Sequence, residues 1–261
     1  QDAAEKVQDR IKDRTKMSAK TINPVRFDEW QEPMKILVIL AHPDDPEFFM
    51  GATIAMWSRM GHKVSYLLLT KGERGLSEQY PDGEELKEIR KVEQRNAADV
   101  LGVDQVDFLD HPDGFLEVNN ENRRQLVAEI RKRQPDIVVS SDPQTFFHTH
   151  YINHPDHRAA GLLTIEAVFP AAGNPGFFPE QIKQGLQPTH IRELWLSLTV
   201  DPNLTLDVSD YWDIRLEALK KHVSQIGDPA LFVQKWNERR QESFENESGY
   251  SEHFRRVILR V

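Results

Sequence analysis

The sequence predicts an α/β fold in which a mainly parallel sheet is flanked by helices and the C-terminal part is less regular. Short apolar runs of strand character alternate with helical patterns along most of the chain. The first run, residues 36–40, is continuously apolar, which is typical of a strand buried on both faces of a parallel sheet. With 261 residues, of which 39% are hydrophobic, the chain can bury one large core.

The regular alternation extends to Phe169 and predicts right-handed crossovers between parallel strands. Gly61 and Gly102 follow the first two helical patterns and are typical of helix ends. The predicted strands are 36–40, 64–70, 106–109 and 137–141, and the predicted helices are 50–60, 84–101, 122–134 and 157–169.

The alternation breaks at Pro170. Residues 171–188 are rich in glycine and proline, so we expect a long loop that is either a rim over the functional site or a contact between subunits. The remaining predictions are a strand at 191–197, helices at 210–225 and 231–245, and a terminal strand at 256–259.

The chain shows no internal repeat and no low-complexity tract, which favours a single main domain. For residues 1–33 the sequence predicts a polar N-terminal helix within residues 1–20, which is either a surface helix or a partner contact, followed by a connector. Residues 34–261 predict one domain.

Composition excludes several function classes. The formal net charge of −9 disfavours nonspecific nucleic-acid binding. No apolar stretch reaches the roughly 18 residues expected of a membrane span, and residues 1–20 lack the apolar region of a signal peptide, so we expect a cytoplasmic protein. Because the chain has no cysteine, any metal site must use nitrogen and oxygen ligands. The sequence leaves open whether the chain forms a homo-oligomer.

The first motif reads Ala-His-Pro-Asp-Asp at residues 41–45 and follows the first predicted strand, where open α/β sheets place their sites. His42 and Asp45, three residues apart, offer the ligand types of a divalent metal such as zinc. Asp44 would stay free, and a free carboxylate beside a metal suits a general base. The alternative is helix capping, with Asp44 or Asp45 accepting backbone N–H bonds.

The second motif reads His-Pro-Asp-His at residues 154–157, before an apolar helical pattern. One of His154 and His157 can be the third ligand, while the other donates a hydrogen bond to a developing oxyanion. Asp156 could orient this second imidazole and keep it protonated. The alternative is a set of solvated polar residues that open a helix. Two such motifs around one metal with an open position indicate a hydrolase.

These residues resemble a known family. Residues 41–47, followed by 51–55, are similar to the first signature of the PIG-L/LmbE-like deacetylases, and residues 154–157 to the second. The order and spacing fit from about residue 34 to 167, and further matches include Leu69, Thr70, Gly72, Glu73, Gly75, Arg90, Glu93, Ala97, Leu101, Gly102, Asp113 and Gly114. Some members carry a tyrosine two residues before the second motif, whereas here that position is Ile152.

The resemblance implies a Rossmann-like fold and a zinc-dependent removal of acetyl groups from N-acetylglucosamine-type sugars, with other divalent metals as alternatives. By motif position, His42, Asp45 and His157 resemble the metal ligands. Asp44 resembles the base, and His154 resembles the residue that faces the oxyanion.

The same resemblance makes Arg90 and Asp113 candidate substrate-binding residues. The alternative for Arg90 and Glu93, three residues apart, is an ion pair on a helix surface, which would stabilise little. Four phenylalanines in irregular segments could form an apolar rim that stacks on a sugar, or could be packing residues: Phe146, Phe147, Phe177 and Phe178.

The predicted reaction is hydrolysis of an acetamide, in which Asp44 takes a proton from the attacking water and protonated His154 stabilises the oxyanion. The products would be an amino sugar and acetate. One alternative is a metal-dependent amidase or esterase that acts on another small molecule. The other is a sugar-binding protein without turnover, which would have no need of the base Asp44.

Overall fold

The computed structural model of the chain describes residues 23–148, 151–243 and 249–259. The helix predicted within residues 1–20 therefore lies outside the described residues. Across the described ranges, no helix has both the length and the apolar character needed to cross a membrane.

One sheet organises the molecule. Its strands are β1 (Lys35–Leu40), β2 (Lys63–Thr70), β3 (Gln105–His111), β4 (Ile137–Ser141), β5 (Glu193–Ser197), β6 (Leu204–Asp207) and β7 (Ser251–Ile258). Their spatial order is β3-β2-β1-β4-β5-β7-β6. The strands from β1 to β5 pair in parallel, and β7 runs antiparallel to both β5 and β6. The predicted mainly parallel sheet is therefore confirmed.

Helices cover both faces of this sheet. They are α1 (Asp45–Arg59), α2 (Gly83–Leu101), α3 (Asn120–Arg133), α4 (Pro155–Glu166), α5 (Pro179–Lys183), α6 (Trp212–Leu219), α7 (Val223–Ile226) and α8 (Pro229–Ser243). A π-helical segment, Ala167–Ala172, continues α4, and a 3₁₀ turn, Ser209–Tyr211, precedes α6.

The side chains of β1 point alternately to the two faces of the sheet, as in any strand, and so contribute to two separate layers of the core. Ile36, Val38 and Leu40 pack in the layer that contains side chains of α1, α2 and α6. Leu37 and Ile39 pack in the layer that contains side chains of α3 and α4. All five side chains are at most 1% exposed, which confirms that β1 is buried on both faces.

The strand order creates a switch point between β1 and β4. From β1 the chain moves outward to β2 and β3, and it then returns to the other side of β1 to form β4 and β5. The loops after β1 and β4 therefore diverge and leave a crevice at the carboxyl ends of these strands. Both predicted motifs follow these two strands, so the fold brings them to the same crevice.

The predicted connector is part of the core. Phe27 and Trp30 are at most 8% exposed, and their rings lie 4.7 Å apart by centroids. Trp30 also packs on Trp195 of β5, with ring centroids 5.4 Å apart. Val25 forms an isolated bridge with Leu206 of β6. Residues 23–33 therefore close one edge of the core.

The loop predicted at 171–188 does not cover the crevice. It contains α5, and Arg131 near the end of α3 donates hydrogen bonds to the carbonyls of Ala171 and Asn174, both at 3.0 Å. Gln134 donates to the Gln187 carbonyl at 2.9 Å, immediately before β4. These contacts lie at the amino ends of the strands, opposite the crevice. The predicted rim over the site is therefore wrong.

Candidate active site

The turn from β1 into α1 carries the first motif. The backbone N–H of His42 donates to Asp45 Oδ2 at 2.8 Å, which closes the turn. Asp44 lies between them with φ 89° and ψ −28°, in the left-handed region. Within the described residues its side chain makes no capping hydrogen bond to α1, and its Oδ2 lies 3.3 Å from Arg90 Nη2. The helix-capping interpretation of Asp44 is therefore wrong.

Close packing of α4 on β4 brings the second motif beside the first. Ser141 Oγ, at the end of β4, donates to the carbonyl oxygen of His157 at 2.6 Å. Gly161 permits this approach because a Cβ there would overlap the Ser141 carbonyl oxygen. The rings of His42 and His157 consequently lie 5.2 Å apart by centroids.

The three predicted metal ligands converge. His157 Nε2 lies 3.1 Å from Asp45 Oδ1 and 3.3 Å from His42 Nδ1, and His42 Nδ1 lies 3.4 Å from Asp45 Oδ2. Ligand atoms placed tetrahedrally at about 2.1 Å from a zinc ion are about 3.4 Å apart. The 3.3 Å between the two imidazole nitrogens and the donor types suit one small divalent cation, while Asp45 presents a different carboxylate oxygen to each ring.

Neighbouring groups orient the two imidazoles. Asn153 Oδ1 lies 2.9 Å from His157 Nδ1, so the proton of a neutral ring resides on Nδ1 and Nε2 stays available as a ligand. His42 Nε2 lies 3.1 Å from Asp113 Oδ1, on the side of the ring away from His157. Burial alone would raise the pKa of Asp113, but the contact with His42 holds it at about 2.

Among the described residues, two groups of three side chains bring one ligand atom each to within 4.8 Å of one another, and neither group contains Asp45. One is His42, His154 and His157, and the other is His42, Asp113 and Asp156. Both include His42, which makes this ring the centre of the cluster. The assignment of His42, Asp45 and His157 as the metal ligands stays a prediction.

Asp156 has a different role from the predicted one. Its carboxylate does not orient His154 but accepts hydrogen bonds from the backbone N–H groups of Gly114, at 2.7 Å, and Leu116, at 3.2 Å. Its Oδ2 also lies 3.4 Å from His42 Nε2. Asp156 therefore fixes the loop after β3, which carries Asp113, against the second motif.

The His154 ring lies against the cluster, with its centroid 4.7 Å from that of His42. Burial and the nearby rings of His42 and His157 lower its pKa, which favours the neutral ring over the predicted protonated one. Its Nδ1 accepts a hydrogen bond from the Asp156 backbone N–H at 3.2 Å. The proton of the neutral ring is therefore on Nε2, and His154 can still donate a hydrogen bond.

Arg90 and Glu93 are internal rather than surface residues. Arg90 is 4% exposed and donates to the carbonyls of Gly72, at 2.8 Å, and Pro43, at 2.5 Å. Glu93 is 8% exposed and accepts from Ser224 Oγ at 2.6 Å. The surface ion-pair interpretation is therefore wrong, and a substrate contact by Arg90 stays a prediction.

Replacement of Asn153 by Leu should weaken metal affinity about 10- to 100-fold, because His157 loses the acceptor that orients its ring. Titration of the metal-free protein with zinc, followed by calorimetry, measures this affinity. Asn153→Asp is the comparison variant: it loses the bond from Asn153 Nδ2 to the Thr145 carbonyl but keeps the acceptor for His157 Nδ1, so it should bind zinc more tightly than Asn153→Leu. Equal affinity in Asn153→Leu and the original protein would contradict the orienting role.

Comparison with known proteins identifies the fold and the motifs. The PIG-L family, described as GlcNAc-PI de-N-acetylase, matches residues 37–168, which contain both motifs. The chain belongs to the PIG-L family. The resemblance found in the sequence is thereby confirmed, and the family is one of deacetylase enzymes.

Individual relatives agree with this membership. A diacetylchitobiose deacetylase of Thermococcus kodakarensis is 38% identical over 76% of this chain and 73% of its own length. A probable N-acetyl-alpha-D-glucosaminyl L-malate deacetylase 2 of Bacillus anthracis is 28% identical over 73% of this chain and 81% of its own. The structure of the N,N'-diacetylchitobiose deacetylase from Pyrococcus horikoshii aligns with a TM-score of 0.79 and 31% identity, covering 95% of this chain and 92% of that chain.

The sequence-based prediction missed some residues of this PIG-L site. Asn153 directly precedes the second motif, and its spacing of four from His157 is the only sequence signal for their contact. Gln94 lies four residues after Arg90 on the same face of α2, and its Oε1 accepts the Asp44 N–H at 2.7 Å. Both side chains are at most 1% exposed.

Proposed function

We propose that this PIG-L protein is a zinc-dependent N-deacetylase that converts an N-acetylglucosamine-type sugar or conjugate into a free amino sugar and acetate. The main support is the position of Asp44. Its carboxylate adjoins the cluster of His42, Asp45 and His157 but is held by Arg90 instead of by the other candidate ligands. That arrangement suits a general base next to a metal.

The ligands in this proposal are His42 Nδ1, His157 Nε2 and a carboxylate oxygen of Asp45. Zinc, when bound there, would polarise the acetamide carbonyl and lower the pKa of water. Burial raises the pKa of Asp44, against the opposing charge of Arg90, and so makes this carboxylate a better proton acceptor. Asp44 takes the proton of the attacking water and returns it to the leaving amine nitrogen, while His154 Nε2–H donates to the carbonyl oxygen as negative charge develops.

Amide or ester hydrolysis of another small molecule would use the same groups. The names of the relatives favour an acetamido sugar, since they are deacetylases of diacetylchitobiose and of an N-acetylglucosaminyl conjugate. A sugar-binding protein without turnover is disfavoured because the partly exposed carboxylate of Asp44 makes no capping hydrogen bond to α1 and a binding protein would not need a base there.

Substrate choice beyond the acetamido sugar is proposed to depend on the loop that follows β4. Phe146 and Phe147 of this loop are 51% and 71% exposed, and the same loop leads into Asn153 and His154. Phe177 and Phe178 lie in the segment held by Arg131, whose guanidinium donates to the Phe177 carbonyl at 3.0 Å. Of these four phenylalanines, only the first pair is therefore available near the crevice.

Replacement of Phe147 by Ala should raise the KM for diacetylchitobiose about 3- to 10-fold, the effect of losing one aromatic stacking contact. The KM for N-acetylglucosamine should change less, because the smaller sugar does not reach the loop. Phe177→Ala is the control and should leave both values unchanged. An equal change for both sugars in Phe147→Ala would contradict this assignment.

The experiment that tests the proposed function is a screen for acetate release over three substrates: N-acetylglucosamine, diacetylchitobiose and an N-acetylglucosaminyl conjugate. An O-acetylated sugar without an acetamido group serves as the ester control. Release from the acetamido sugars alone supports the proposal, and release from the ester alone would exclude it.

A further inference from the structure

The turn that carries Asp44 is held by contacts from another helix, α2. The left-handed backbone of Asp44, with φ 89°, is sparsely populated for residues other than glycine. Its N–H donates to Gln94 Oε1 of α2 at 2.7 Å, and its carboxylate lies 3.3 Å from Arg90 Nη2 of the same helix. Helix α2 therefore fixes both the backbone and the side chain of Asp44.

Gln94 connects this turn to a buried carboxylate. Its Nε2 lies 3.0 Å from both carboxylate oxygens of Glu47, and both side chains are 0% exposed. A glutamine amide has its donors on nitrogen and its acceptor on oxygen, so these two contacts define one orientation. Rotation of the amide would place its oxygen against Glu47 and its nitrogen against the Asp44 N–H.

Glu47 is in turn held by two further buried groups. His222 Nε2, after α6, lies 3.0 Å from Glu47 Oε2, and the Tyr66 hydroxyl donates to Oε1 at 3.3 Å. Burial disfavours the charged form of His222, but its contact with Glu47 outweighs this and raises its pKa. The chain of contacts thus extends from Asp44 through Gln94 and Glu47 to the C-terminal part of the molecule.

The first turn of α1 is separated from the rest of the helix. Met50 has non-helical angles of φ −156° and ψ 27°, and the N–H groups of Ala52 and Thr53 donate to Glu252 of β7 at 3.1 and 2.8 Å. Arg215 Nε donates to the carbonyl of Glu47 at 2.9 Å. The short segment with Asp44 and Glu47 consequently depends on contacts from other elements for its position.

We propose that Gln94, Glu47 and His222 are positioning residues that fix the turn of Asp44 and so aim its carboxylate at the substrate. The inference rests on the proposed function only for the role of Asp44 as base. The three residues act through Asp44 and are not catalytic residues themselves. Their loss should reduce turnover without loss of the metal or of substrate affinity.

Replacement of Gln94 by Met tests this, because methionine fills the space without either hydrogen bond. The kcat should fall about 10- to 100-fold, the effect of misplacing a catalytic group by about 1 Å, while KM and zinc content stay unchanged. Ser224→Ala is the matched control: it removes the buried bond to Glu93 that joins α2 to α7. It should lower the melting temperature and leave kcat unchanged.

A reciprocal exchange provides a rescue. Gln94→Glu alone places two carboxylates in contact and should lower kcat at least as much as Gln94→Met. In the double variant Gln94→Glu/Glu47→Gln, the new carboxylate at position 94 can accept from the Asp44 N–H. The new amide at position 47 can donate to that carboxylate and accept from His222. Recovery of kcat in the double variant supports positioning, whereas no recovery overturns it.

Hydrogen exchange of the Asp44 amide, followed by NMR, is a readout that does not depend on activity. The amide should exchange at least about tenfold faster in Gln94→Met than in the original protein, because its acceptor is lost. Unchanged exchange, or faster exchange with unchanged kcat in an active enzyme, overturns the inference. If the original protein releases no acetate, the proposed function fails, and the exchange rate alone then decides whether Gln94 holds this turn.

Discussion

Replacement of Asp44 by Asn is expected to lower turnover about 10²- to 10⁴-fold while the zinc content stays unchanged, which is the effect of losing a general base. Asparagine has nearly the same shape but cannot accept the proton of the attacking water. Its side chain can still lie beside Arg90, so the turn should be preserved. Steady-state kinetics and metal analysis of the purified variant measure the two quantities.

Asp45→Asn is the comparison variant, because Asp45 adjoins both His42 and His157 and is a proposed ligand. It should lose zinc and turnover together. Loss of zinc in Asp44→Asn would instead make Asp44 a ligand, and full turnover in that variant would remove it from proton transfer.

Replacement of His157 by Ala is the second large effect. The variant should lose zinc and activity together, because Nε2 of His157 lies within 3.3 Å of both other proposed ligands. Phe49→Leu is the matched control: the Phe49 ring packs edge-on against His157 with centroids 5.1 Å apart but offers no ligand. It should alter packing and retain zinc.

Metal analysis after dialysis, with activity measured on the same samples, gives the result. Full zinc content and full activity in His157→Ala would show that the metal centre lies elsewhere in the cluster. The group of His42, Asp113 and Asp156 would then be the alternative.

The sequence predicted the strands that position the site because their signals are local. A continuous apolar run gives β1, and the motif that follows it gives His42, Asp44 and Asp45 in one turn. The second motif opens α4 in the same way. Since parallel strands align their carboxyl ends, the convergence of the two motifs followed from the alternation of strands and helices.

Contacts between distant segments were not predictable from local patterns. The helix predicted at 210–225 is divided into a 3₁₀ turn, α6 and α7, and between the two helices His222 reaches the buried Glu47. Strand β6 has only four residues and is recognisable only through its pairing with β7. The position of residues 171–188 depends on Arg131, whose guanidinium has the sequence pattern of an exposed charge at a helix end.

Some side-chain roles within the site also depend on contacts between distant segments. The lowered pKa of His154 results from burial beside His42 and His157, which local sequence patterns do not reveal. Asp156 was expected to orient His154, yet its carboxylate binds backbone N–H groups of the loop after β3. That loop is brought to the second motif only by the order of the strands in the sheet.

The most direct test of the account is the simultaneous measurement of acetate and free amine from diacetylchitobiose incubated with the zinc-loaded protein. We predict one free amine for each acetate released, with both signals absent in Asp44→Asn over the same interval. Acetate release without free amine, or equal release by Asp44→Asn, would contradict hydrolysis of the acetamide by this site.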